Sequence, residues 1–450
     1  MGLPLHVRCT VLLFAALALL HPPSARGQEL SWEEANEAGG QAMQRAQYDE
    51  AEKYFEAALR QAQFFVISDE RLQITLNNLG AVYHERGKFA QSEALFTPWL
   101  EKFEKGLGPS SPIVFILLNN LGTVYQSQGR YAEAEAAFKR SIELGAKSMG
   151  PENPRVANSK AGLGTIYMVQ GRNTEACLLL QEALEVLDKT LGPEHYVSVR
   201  VINNLAWTYF QMGEWAKATP LFERTLSIQE KELGPGHPNV ATTLNNLATT
   251  YEKQGDFARA ETMAARAELI REKVLGPNHP QNVVGLNNLA MIRRALGKTT
   301  MAEQDLNRAR AIAEQSLGPE HPNLAVVLDS LGTGATDQGR LEEAEPLLKR
   351  ALAIREKAFG AEHVLVAASL EHLAKFEAAR GQFAQADLLL RQALAVFQKA
   401  MTPENPDLAF ALIRIAQIYR KMEYTREAEA LEARAEALHP KPSRETPDVQ

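Results

Sequence analysis

An all-α solenoid of repeated helix pairs is the fold this sequence predicts, and three observations predict it. The stretch Leu-Asn-Asn-Leu-Gly/Ala recurs at Leu76–Gly80, Leu118–Gly122, Ile202–Ala206, Leu244–Ala248 and Leu286–Ala290, with eroded copies starting at Lys160, Leu328, Leu370 and Leu412. A closing Gly-Pro falls at Gly108, Gly150, Gly192, Gly234, Gly276 and Gly318, each 42 residues after the last, and Gly360-Ala361 and Thr402-Pro403 keep the phase. Within each period the apolar residues recur at i+3 and i+4, the spacing of one helix face. A fixed period in this range marks identical supersecondary units, none of which can bury its apolar face alone.

Residues 1–27 stand outside the repeat. Arg8 precedes an apolar run, Val11–Leu20, followed by Pro22-Pro23 and Ala25-Arg26-Gly27. A run of ten is too short to span a bilayer, which takes about 20 apolar residues. The pattern predicts a secretory signal cleaved before Gln28, hence an exported protein, periplasmic or secreted, with no stable membrane insertion afterwards. The alternatives are a mitochondrial transit peptide or a misassigned start. Cleavage removes Cys9 and leaves Cys177 as the one thiol, which excludes an intrachain disulfide and a multi-cysteine zinc site.

Residues 28–438 then predict the solenoid. Ser31-Trp32-Glu33-Glu34 reads as a capping box starting a helix at about residue 31. Tyr48, Ala51, Phe55, Ala58 and Leu59 share one face of a second helix, completing an atypical first pair. In the regular unit Ala241, Leu244, Leu247, Ala248 and Tyr251 form the stripe of a first helix, ended by Gly255. Ala260, Ala264, Ala267, Ile270 and Val274 form the stripe of a second, ended by Gly276-Pro277. His279-Pro280 predicts the next start, with proline in the first turn. Small residues keep register at Ser92, Ala134, Ala176, Ala218, Ala260, Ala302, Ala344, Ala386 and Ala428, where helices approach closely. The last pair covers about 406–438 with a polar outer face suited to a cap, and 439–450, with three prolines, reads as a disordered tail.

The stripe Leu118, Leu121, Gly122, Tyr125, Ala134, Phe138, repeated as Ile202, Leu205, Ala206, Tyr209, Ala218, Phe222, resembles the tetratricopeptide repeat. The longer unit, with its Leu-Asn-Asn-Leu-Ala and Gly-Pro-x-His-Pro segments, is similar to the repeats of the kinesin light chains and their prokaryotic relatives. The resemblance covers about residues 31–438 and implies a right-handed α-solenoid of about ten helix pairs, whose first helices line a concave groove. Kinesin light chains precede their repeats with a long coiled coil; only about 30 residues precede the first helix here, so a motor partner is not expected.

Lys+Arg 48 against Asp+Glu 55 gives a formal charge of −7. That balance gives no basic stripe for a nucleic acid. No phosphate-binding, dinucleotide, zinc-protease or nucleophile-elbow motif occurs, so the sequence predicts neither an enzyme nor a cofactor. His195, His237, His279, His321 and His363 share one loop position that Ser111, Asn153 and Asn405 fill elsewhere, which predicts helix capping over metal binding.

The asparagine pairs leave two readings open. At about 100° per residue they fall outside the apolar stripe. As groove residues, their amides suit the backbone of an extended peptide; alternatively they bond neighbouring helices as a structural ladder. The candidate peptide-binding set is Arg200, Asn203, Asn204, Trp207, Phe210, Asn245, Asn246, Thr249, Asn287 and Asn288, in the most uniform stretch. The later Asp329-Ser330, Glu371-His372 and Ile413-Arg414 predict a different ligand there or none. The function expected is a non-catalytic scaffold docking a protein or peptide partner in the groove. The competing expectation is a structural or self-assembling exported protein without a peptide site, with homo-oligomers left open.

Overall fold

A computed structural model describes residues 30–401 and 406–438. The expected leader, 1–27, and tail, 439–450, lie outside the described residues. The fold among those described is all-α, twenty helices and a short 3-10 turn at Tyr196–Ser198. It divides into two compact units.

The first unit reaches Tyr209 and includes Pro220–Glu232. Its helices pair as α1 (Trp32–Gln44) with α2 (Tyr48–Ala62), α3 (Glu70–Glu85) with α4 (Phe89–Leu107), α5 (Pro112–Ser127) with α6 (Tyr131–Met149), and α7 (Pro154–Val169) with α8 (Asn173–Leu191). It also holds most of α9 (Val199–Gln211) and of α10 (Trp215–Leu233).

The second unit comprises Phe210–Thr219 and everything from Leu233 onward. It pairs α11 (Pro238–Lys253) with α12 (Phe257–Leu275), α13 (Asn282–Ala295) with α14 (Thr299–Ser316), and α15 (Pro322–Asp337) with α16 (Leu341–Phe359). Then come α17 (Val364–Ala379) with α18 (Phe383–Ala400) and α19 (Pro406–Lys421) with α20 (Thr425–Leu438).

The predicted stripes are the core. Leu76, Ile202, Leu244, Leu328 and Leu412 are wholly buried, as are the small residues at the close-approach register from Ser92 to Ala428. Each buried leucine contributes about 1.5–3 kcal/mol. Glycine on the first helix makes room for a large partner on the second. A Cβ on Gly122 would stand 2.8 Å from the Phe138 ring, and Gly80 and Phe96 repeat the fit. Two details depart from the sequence reading. The α13 helix begins at Asn282 rather than at Pro280, because the Asn282 Nδ2 donates to the carbonyls of Gly276 and Pro277 and holds the loop open. Val274 is 48% exposed, and with Leu107, Leu191 and Phe359 it shows that the last turn of the second helix is poorly covered.

Turn chemistry is regular. From Gly87 to Gly381 a glycine with positive φ closes every helix, at half the repeat period; a left-handed residue there satisfies the last carbonyls. The two non-glycine exceptions among the described residues are Ala46 (φ 56°) and Glu423 (φ 64°), one in each terminal pair. Four of the five loop histidines cap the helix or 3-10 turn that follows, and His279 makes the same bond in the turn before α13. His237 Nδ1 accepts from the Asn239 N–H at 3.1 Å, and His195, His279, His321 and His363 do the same for the residue two further on.

Candidate protein-interaction face

The first helices of successive pairs pack on one another, α3 on α5, α5 on α7, α13 on α15, α15 on α17 and α17 on α19, and within each unit second helices pack on the first helix of the next pair, as α6 does on α7 and α12 on α13. Contacts between successive second helices are marginal by comparison. The first helices therefore line the inner side of each unit's curve, and their residues outside the apolar stripe form its inner face.

In the first unit that face is tied by neutral hydrogen bonds. Asn78 Nδ2 donates to Asn36 Oδ1 at 2.9 Å and Asn120 Nδ2 to Asn77 Oδ1 at 2.8 Å. Ser159 Oγ donates to Asn119 Oδ1 and Asn204 Nδ2 to Thr165 Oγ1, both at 2.9 Å. The rungs thus run unbroken from α1 to α9. For Asn77, Asn78, Asn119 and Asn120 the ladder is the role the geometry shows. Of the candidate residues in this unit, Asn204 is a rung, Asn203 is half-buried without a side-chain partner among the described residues, and Trp207 is half-buried and in contact.

Arg200 stands apart from the ion-paired cations of this face. Lys160 pairs with Glu182 at 2.7 Å, whereas no described carboxylate lies within ion-pairing distance of Arg200. Water reaches its side chain, yet the protein around it is dense enough that desolvation alone pushes its pKa down, with no neighbouring charge to offset the loss.

In the second unit Phe210 is half-buried and in contact, and Asn245, Asn246 and Asn288 are half-buried without side-chain partners among the described residues. The Thr249 hydroxyl donates to the Asn245 carbonyl one turn back at 3.0 Å. Asn287 is 6% exposed, and its Oδ1 has no donor. The face beside these amides also carries Glu252, whose carboxyl burial pushes upward despite Lys253.

Further along, the rungs become ionic. Asp329 (side chain 3% exposed) accepts from Arg355 (5%) of α16 and from Ser369 Oγ at 2.8 Å, and Arg355 also donates to Ser369 Oγ at 2.7 Å. His372 Nδ1 stands 3.4 Å from the same carboxylate. Arg414 makes a two-pronged pair with Glu371 at 2.7 and 2.9 Å, and Arg294 and Lys375 converge on Asp337 at 2.7 and 2.5 Å. Sequence reasoning did not find this network. Its signal was present: Asp329/His372 and Glu371/Arg414 are 43 residues apart, like Asn77/Asn120. Arg355 gave a weak signal, since its register holds Arg271 and Gln229 but also Phe103, Leu187, Ala313 and Phe397. The Ser369 hydroxyl is directed to Asp329 and not to His372, so the trio is not a base-activated nucleophile.

Among the described residues no group of three or more His, Cys, Asp or Glu is placed to hold a metal ion, and no helix is long and apolar enough to cross a membrane.

The tetratricopeptide repeat family model matches residues 71–147, 113–167, 155–231, 208–273, 283–357, 331–399 and 365–441. No curated protein matches the chain. Among solved structures, a putative kinesin light chain from Podosopora anserina with nearly identical repeats is 28% identical, covering 46% of this chain and 97% of its own, with a TM-score of 0.42. RapI in its apo form is 15% identical over 82% of this chain and 98% of its own, with a TM-score of 0.63. The apo form of the quorum sensor NprR from B. thuringiensis is 14% identical over 81% and 98%, with a TM-score of 0.56. The last two share the helical-solenoid fold.

Proposed function

This chain belongs to the tetratricopeptide repeat family, and on that premise we propose that it is a non-catalytic scaffold that docks an extended peptide segment of a protein partner on the inner face of its first helices. Tetratricopeptide repeats serve generally as protein-interaction scaffolds; the segment-in-groove mode is our reading. The observation that carries it is Arg200. An exposed guanidinium with no described carboxylate within ion-pairing reach is open to a partner, and its planar fork suits a carboxylate, so an acidic side chain of the partner is the group we assign to it. Within α9, Asn203 and Trp207 follow Arg200 by one and two turns, offering an amide for the partner's backbone and an aromatic surface. In the second unit the unengaged amides of Asn245, Asn246 and Asn288, beside Thr249 and Asn287, offer the same kind of backbone contact. Residues 1–27 act in this proposal as a cleaved leader, and the scaffold works outside the cytoplasm.

The test is a screen of the full chain against an array of acidic and neutralised extended peptides, followed by titration of the peptides retained. Arg200→Ala should weaken acidic peptides at least tenfold while the circular-dichroism melt is unchanged, and Asn245→Ala/Asn246→Ala should weaken them less. Binding indifferent to both variants would overturn the site. Sequencing of the mature N-terminus tests the leader; a chain that retains residues 1–27 would remove export from the proposal.

A further inference from the structure

One contact in the second unit joins elements that are distant in the repeat order. Trp215, the first residue of α10, stacks on Phe410 of α19 with ring centroids 6.2 Å apart and planes inclined by 30°. Lys253, the last residue of α11, places its Nζ 4.7 Å from the centroid of the same Phe410 ring. The inner-face hydrogen bonds and ion pairs described above join neighbouring pairs, as the 42-residue period requires. This one links the last pair to the start of the unit.

Both halves of the contact are built rather than incidental. On one side, Thr219 Oγ1 donates to the Trp215 carbonyl at 3.0 Å and accepts from Gln254 Nε2 at 3.0 Å, so the first turn of α10 is fastened to the end of α11 and Trp215 is held beside Lys253. On the other, α19 is oriented by Arg414, one turn beyond Phe410, through its pair with Glu371, and by the Tyr419 hydroxyl donating to Asp387 at 2.9 Å. Phe410 is also out of pattern. Its register holds Thr242, Val284, Val326 and Ala368 in the other pairs of this unit, none aromatic. An aromatic ring offset on an indole with an ammonium at its face satisfies two separate preferences of a π-system.

We infer that Trp215 and Lys253 form an aromatic-receiving slot whose resident ligand is the chain's own Phe410, making α19 a clasp that holds the second unit closed. The contact is small, and half-buried Phe410 leaves it with little apolar area to lose on release. The clasp is therefore releasable, and the side chain that would displace it is another aromatic, carried on whatever segment enters the unit. This device goes beyond the docking proposal and does not depend on it.

The experiment measures distances with no partner present. Nitroxide labels at Ala216→Cys and Gln417→Cys, both exposed positions, report the separation of the two halves by pulsed electron paramagnetic resonance in the full chain. The parent should give one narrow distance. Phe410→Ala and Trp215→Ala should broaden it towards longer distances, shifting the closed-to-open ratio by about tenfold, the scale of an aromatic pair with its cation. Phe410→Tyr should keep the narrow distance, and Lys253→Met, a surface change that spares folding, should shift the ratio by roughly threefold. An unchanged distribution in Phe410→Ala would overturn the clasp, as would Phe410→Tyr broadening as much as Phe410→Ala. Should Phe410→Ala melt early, the Lys253→Met shift decides: present, the clasp stands; absent, it falls. Either result leaves the peptide titrations above free to succeed or fail.

Discussion

The two units solve one problem with different chemistry. Each must fasten successive first helices at the same register. The first unit does so with amides and hydroxyls, Asn78 to Asn36, Asn120 to Asn77, Ser159 to Asn119, Asn204 to Thr165. The second does so with charges, His372 and Arg355 on Asp329, Arg414 on Glu371, Arg294 and Lys375 on Asp337. Neutral rungs contribute modestly and survive the loss of one member. Buried charges are close to neutral when whole and costly when broken. The comparison teaches that a uniform backbone repeat sets where a rung can form, while the side chains decide how it fails.

The largest way to break the comparison is Arg355→Met. It leaves the Asp329 carboxylate buried with its chief partner gone, and the second unit should lose about 3–5 kcal/mol in urea denaturation. Adding Asp329→Leu should restore most of that, which a merely space-filling role for Arg355 would not predict.

A pH experiment sharpens it. Glu268 is 4% exposed, neither carboxylate oxygen has a donor, and it fills the space opposite Gly285, where a Cβ would stand 2.3 Å from its Oε2. Its register holds Leu226, Leu352 and Leu394 in other pairs. Burial pushes its carboxyl from 4.5 up to about 7, with Arg271 and Arg308 opposing and Glu272 and Asp305 adding to the rise. The folded state therefore binds this proton more tightly than the unfolded chain. Its stability is fully present below about pH 4.5, declines as pH rises, and is at its lowest above about pH 7. Glu268→Leu should gain up to about 3 kcal/mol at pH 8 and under about 1 kcal/mol at pH 5. Equal gains at both values would show that the carboxylate is not the cause.

Smaller effects separate the rungs themselves. Asn120→Ala should cost about 1 kcal/mol, equally at low and high salt. Arg414→Met should cost a comparable amount that shrinks as salt rises, because its side chain is 49% exposed. At the small end, Glu423→Gly should gain about 0.5–1 kcal/mol by relieving a left-handed residue in the last pair; a thermal melt shows it as a small rise. A gain from the same change at a helical position such as Glu429 would point to some other cause.

What was legible in the sequence was what is local. Period, stripes, glycine closures, the Ser31 capping box and the histidine caps each depend on residues within a few positions, and each took the place their neighbours dictated. The asparagines were legible as polar positions on the inner side, but whether an amide meets the neighbouring helix depends on what stands 39 to 43 residues away. Asn204 reaches Thr165 because Gly162 offers nothing to bond. The Asp329 network needed an arginine from a second helix, at a register that holds Phe103, Leu187 and Phe397 as readily as Arg271. Trp215 and Phe410 lie farther apart than any periodic argument reaches. The start of α13 moved because one side chain, Asn282, outcompeted the proline signal before it.

The changing rungs have a consequence for how such a chain avoids mistakes. A tandem array of near-identical units can pair a helix with the wrong copy, one period early or late, at almost no cost in apolar burial. Arg414 set one period early would meet Asp329, already occupied by Arg355, and set two early would meet the Asn287 amide in place of a carboxylate. His372 set one period early would face Asn287, whereas the amide rungs do not discriminate, since the register of Asn77 also holds Asn119, Asn203, Asn245 and Asn287. Each ionic rung thus works as an address, telling an otherwise anonymous helix which neighbour is its own.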